Sequence, residues 1–143
     1  MTAIKNVLET LAFFSAIGRP VTAYEVWRAI PPKERPTDLE HLFEILTFLE
    51  NSGKVRREGD FFAAVGLIDK LAEKIESARI EQDFFLEKKW DETLKHRPLF
   101  SAVPFLDFAC VFGSLAFGNV KEDSDFDILL GCRKGRIFTA RFF

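Results

Sequence analysis

Residues 113–127 read Gly113-Ser114-Leu115-Ala116-Phe117-Gly118-Asn119-Val120-Lys121-Glu122-Asp123-Ser124-Asp125-Phe126-Asp127. Phe105 to Phe112, just before, is an apolar run with one charge, Asp107, and is short enough for a buried strand. Asp125 to Leu130 reads as a second strand. A strand that runs into Gly-Ser and a helical turn presents backbone N–H groups and a hydroxyl where an anion can dock, and Gly113 lets an anion approach the main chain closely. In an extended segment, residues two apart lie about 6.6 Å apart on one face. This spacing predicts that Asp125 and Asp127 project together, with Phe126 turned into the core. Hard divalent cations take oxygen ligands of this kind. Ser124 precedes the pair and is placed to hydrogen-bond the loop or a carboxylate, orienting it. The same residues also fit a plain strand–turn–strand with two solvated aspartates, because Asp and Ser favour turns.

Working back from this stretch, residues 67–96 contain neither Gly nor Pro, and Ile68, Leu71, Ile75, Ala78, Gln82 and Phe85 follow the 3–4 spacing of one long helix that Arg97-Pro98 ends. Near the N-terminus, Ile4, Val7, Leu8, Leu11 and Phe14 mark a helix over 3–17, stopped at Gly18-Arg19-Pro20. Thr22 with Glu25 predicts a capping box opening a second helix, and Thr37 with Glu40 predicts another opening a third, which closes at Asn51-Ser52-Gly53. Lys54–Arg57 and Phe61–Ala64 around Glu58-Gly59-Asp60 read as a hairpin. Three helices and a hairpin resemble a winged-helix domain. The predicted organisation is α/β: a winged-helix-like domain over 1–65, a linking helix over 66–97, and a further domain over 98–143.

The pattern GSxxxGxxxxxSDxD over 113–127 resembles the signature of the DNA polymerase β-like nucleotidyltransferase superfamily. Gly135–Arg141, GRIFTAR, is similar to a segment of uncharacterised archaeal and bacterial nucleotidyltransferases of that type. The resemblance covers residues 105–141 and implies the start of the family's mixed sheet. It also implies metal-dependent transfer of a nucleoside monophosphate from a nucleoside triphosphate to an acceptor hydroxyl, on RNA, a protein or a small molecule. Gly113, Ser114 and Ser124 are then the nucleotide-binding residues. Asp125 and Asp127 are the catalytic residues and the ligands of Mg²⁺, with Mn²⁺ as a substitute. The family places a third carboxylate on a following strand, yet residues 128–143 contain neither Asp nor Glu. The chain is therefore expected to transfer nothing by itself, either as a piece that stops before the remaining strands or as a degenerate member. The alternative is a non-catalytic winged-helix regulator or nucleic-acid-binding adaptor.

Composition narrows the remaining classes. With 143 residues, 48% hydrophobic, the chain can bury a core, and 20 Lys+Arg against 22 Asp+Glu exclude a strongly basic nucleic-acid binder. The third helix carries Asp38, Glu40, Glu44 and Glu50 and no Lys or Arg, so DNA is not its expected partner. Its Leu39, Leu42, Phe43, Ile45, Leu46, Phe48 and Leu49 predict packing inside the domain or against a partner. Arg133, Lys134, Arg136 and Arg141 are basic and lie after the motif, facing either phosphate or solvent. The cysteines, Cys110 and Cys132, lack metal or disulfide spacing, and His41 and His96 lack a ligand-spaced companion. No apolar run spans a membrane and the N-terminus does not read as a signal peptide, so the expected setting is the cytoplasm. A short sheet with an apolar edge predicts self-association into a homo-oligomer.

Overall fold

The computed structural model describes residues 2–66 and 74–142. The chain is mixed α/β, with helices and two small antiparallel sheets. It divides into two compact units, Met1–Glu81 and Gln82–Phe143. The division falls within the helix Ile75–Lys95. No helix among the described residues is long and apolar enough to cross a membrane.

In the first unit α1 (Thr2–Ala16), β1 (Val21–Thr22), α2 (Ala23–Ala29), α3 (Leu39–Asn51), β2 (Val55–Glu58) and β3 (Phe61–Ala64) follow in order. The sheet order is β1-β3-β2, and Val21 pairs with Phe62 while Glu58 pairs with Phe61 across the two-residue turn. β1 was not visible in the sequence, because two residues carry no periodicity. One apolar stripe from each helix meets the sheet in a core of Val7, Leu11, Val26, Leu42, Leu46 and Phe62. Ser15, buried at the end of α1, accepts a hydrogen bond from Ala64 N at 2.8 Å and so ties the helix to β3.

The capping box of α2 forms as expected, with Thr22 N donating to Glu25 Oε2 (2.8 Å) and Glu25 N donating to Thr22 Oγ1 (3.2 Å). The cap of α3 differs. Asp38, not Thr37, is the N-cap; its Oδ1 accepts from His41 N at 2.8 Å, and Glu40 lies in the first turn outside any box. Either residue can cap, and the extended backbone at Asp38 (φ −151°) makes the choice. α3 buries Leu42, Ile45, Leu46 and Leu49 but leaves Leu39, Phe43 and Phe48 exposed, so it is apolar inward and mixed outward.

The long helix α4 spans Ile75–Lys95; Ile68 and Leu71 of the predicted stripe lie outside the described residues. Glu58 at the end of β2 caps it, accepting from Ile75 N at 2.7 Å and Glu76 N at 3.3 Å. One turn later Arg79, buried, donates through Nη1 to the Pro20 carbonyl (2.8 Å) and Glu25 Oε2 (2.9 Å), and through Nη2 to Glu25 Oε1 (2.8 Å). The start of α4 is thereby fixed to the first unit by an acid of the sheet and an acid of α2.

In the second unit, α5 (Arg97–Ala102) follows α4, β4 (Leu106–Phe112) pairs antiparallel with β5 (Asp127–Cys132), α6 (Gly113–Phe117) joins them, and α7 (Ile137–Arg141) comes last. Arg97-Pro98 ends one helix as expected and opens another, since proline suits a first helical turn. β4 begins one residue later than predicted, because Phe105 takes a left-handed φ of 64° after Pro104 and its carbonyl accepts from Arg133 N at 2.9 Å. β5 begins two residues later than predicted. The buried hydrophobic residues of this unit are Leu115 and Val120 among those described. Ala109, Val111 and Ile128 line a cavity of about 560 Å³ beside Trp90 and Leu94. Phe108 and Phe112, at alternate positions of β4, are more than half exposed.

Candidate functional site

The site is built where β4 turns into α6. Phe112 is paired with Asp127, the last rung of the ladder at this end, and Gly113 then leaves the strand with φ +69°. A Cβ built on Gly113 would overlap Asp127 Oδ2, at 3.0 Å from Cγ and 3.2 Å from Cβ. Two requirements therefore meet at Gly113, a backbone conformation that L-residues rarely adopt and the absence of a side chain where the carboxylate lies. The turn of helix that follows is anchored by buried Leu115 and closed by Gly118 N and Asn119 N, both donating to the Ser114 carbonyl. Ser114 is half-buried at its start.

From Val120, buried, the chain returns through residues 121–126. Ser124 shapes this return: its Oγ accepts from Lys121 N at 2.9 Å while its own N–H donates to the Lys121 carbonyl at 3.2 Å. Of the two roles the sequence left to Ser124, the loop bond is the one it makes. Because β5 starts at Asp127, Asp125 lies in the loop just outside the ladder and is exposed, whereas Asp127 is half-buried. Phe126 corrects an expectation. It is 38% exposed and does not enter the core; the residue before a ladder begins is not bound to strand alternation.

Lys89 of α4 covers Phe126. Its Nζ lies 4.8 Å from the Phe126 ring centroid and donates to the Ser124 carbonyl at 2.8 Å. A cation thus grips the acidic loop from the side, at the residues flanking Asp125. Nothing in the spacing of residues 67–96 singled out Lys89, because its partner is 35 positions away. Asp107, the other strand carboxylate, lies at a β-bulge at the far end of β4 and forms a 3.8 Å ion pair with Arg133. Cys110 and Cys132 are free and face Leu129 and Leu106 across the ladder.

Gly113, Ser114 and Asp127 are thus brought together at one end of the two-stranded sheet, and Ser124 and Asp125 sit on the loop that enters it. Among the described residues no group of three or more His, Cys, Asp and Glu is gathered closely enough to hold a metal ion. No family model, curated protein or solved structure matches the chain.

Proposed function

We propose that the second unit is a nucleotidyltransferase-like site of the DNA polymerase β type that binds a nucleoside triphosphate with a divalent cation. The observation that carries this reading is the side-chain-free contact between Gly113 and the Asp127 carboxylate. It sets an acid beside the turn at which Gly113 and Ser114 begin α6, where a phosphate chain neutralised by a cation would meet N–H donors and a carboxylate. Asp125 and Asp127 fit magnesium as an incomplete set of two oxygen donors, with phosphate oxygens and water suited to the remaining positions. Magnesium, when bound, supplies neutralisation of phosphate charge. Ser124 and Lys89 hold the loop that presents Asp125. Residues 128–143 hold no carboxylate to stand for the third one that the resemblance implies, so the reading is confined to binding.

For the first unit we propose a winged helix, supported by its order of helices, its short β1 and its β2–β3 hairpin. The acidic outward side of α3 speaks against DNA as its ligand. Cytoplasmic placement belongs to the same reading. Calorimetric titration of the chain with ATP in Mg²⁺, Mn²⁺ or EDTA tests it. Binding that requires the cation and is lost in Asp127→Ala supports it; binding that is indifferent to the cation refutes it.

A further inference from the structure

The outward side of α3 and the segment around α7 are opposite in charge and alike in apolar content. On α3, Leu39, Phe43 and Phe48 are 40–56% exposed between Glu40, Glu44 and Glu50, with no Lys or Arg on the helix. Phe43 also borders a cavity of about 360 Å³ lined by Thr22, Tyr24, Arg57, Asp60 and Phe62. Residues 133–142 carry Arg133, Lys134, Arg136 and Arg141 without an acid, and Ile137, Phe138 and Phe142 are 63%, 78% and 93% exposed. Arg133 pairs with Asp107 and Arg136 stacks on Phe105 at 4.9 Å, so this segment has a fixed base from which the three apolar side chains project. Aromatic anchors ringed by charge are the usual make-up of a protein contact, and the opposite signs set which patch meets which.

We propose that copies of this chain associate through these two surfaces, the acidic outward side of α3 on one molecule receiving residues 133–142 of another. Phe138 and Phe142 supply the apolar contact with Phe43 and Phe48, and Lys134 and Arg141 face Glu40 and Glu44. The contact joins unlike patches, so each molecule offers one of each. This inference does not depend on the nucleotide reading.

The test uses the whole chain. Multi-angle light scattering is expected to give a mass above the 16.4 kDa of one chain, rising with concentration and falling as salt is added. Glu40→Lys/Glu44→Lys puts two bases opposite Lys134 and Arg141, and Lys134→Glu/Arg141→Glu puts two acids opposite Glu40 and Glu44; each variant alone is expected to be monomeric with an unchanged circular dichroism spectrum. An equimolar mixture of the two restores opposite charge at the contact and is expected to associate again. A wild-type mass of one chain at every concentration overturns the proposal. So does association in either single variant equal to wild type, or a mixture that stays monomeric.

Discussion

The Asp127 carboxylate occupies the space that a side chain on Gly113 would fill. One residue thus carries the positive φ with which the chain leaves β4 and the open side against which the carboxylate of the next strand rests. The backbone of the turn and the carboxylate of the next strand are therefore set by a single contact, and the site's geometry follows from it.

Gly113→Ala should be destabilising by about 1–3 kcal/mol through its positive φ alone. Gly135→Ala serves as the control, because Gly135 has φ +78° and nothing within 4 Å of a built Cβ. Chemical denaturation is expected to show a larger loss for Gly113→Ala than for Gly135→Ala. Cation-dependent ATP binding should vanish only in the first. Equal losses of both properties in the two variants would mean that Asp127 is not held by this contact.

Lys89→Met removes the hydrogen bond to the Ser124 carbonyl and the cation over Phe126 but keeps the aliphatic stem. A hydrogen bond from a charged donor contributes about 1.5–3 kcal/mol. Nucleotide affinity should fall about tenfold, equivalent to about 1.4 kcal/mol, with faster amide exchange across residues 121–127. Lys89→Arg should recover most of the loss. Unchanged exchange in the methionine variant would show that the loop needs no such grip.

The parts of this architecture that rest on neighbouring residues could be read from the sequence. The Thr22–Glu25 box closes over three residues, and the Gly-Ser turn lies between two apolar runs, so both were legible. Asp38 replacing Thr37 as a cap was not, since two good caps stand side by side and only the backbone decides between them. Lys89 on Ser124, Glu58 on the start of α4 and Arg79 on Glu25 join residues 17 to 54 positions apart, and pattern carries no information about such pairs. The spacing predicts Phe126 in the core because it starts the strand at Asp125, two residues before the ladder begins. The spacing of Asp125 and Asp127 was legible as chemistry but not as geometry, because one lies in the ladder and the other in the loop.

Glu25 gives the first unit a pH dependence. Burial works to raise its pKa, but the hydrogen bonds from Arg79 and Thr22 N, with the charges of Arg79 and Arg19, outweigh it and hold the carboxyl down to about 2 against an ordinary 4.5. A carboxylate whose folded pKa is depressed stabilises the fold fully above its unfolded value and loses that contribution as pH falls through the folded one. Stability should therefore decline between pH 4.5 and about 2. Arg79→Met should lower stability at neutral pH and flatten this decline. Urea unfolding followed across that pH range checks it, and an unchanged slope in the variant would show that Arg79 is not the partner that matters.

The central claim is that Asp125 and Asp127 hold a cation against a phosphate chain seated on Gly113 and Ser114. The most direct measurement is the titration of wild type, Asp125→Ala and Asp127→Ala with ATP at fixed Mg²⁺. Binding in wild type that disappears in EDTA and in both variants is predicted. Wild-type binding that persists unchanged in both variants, or no binding by the wild type, contradicts it.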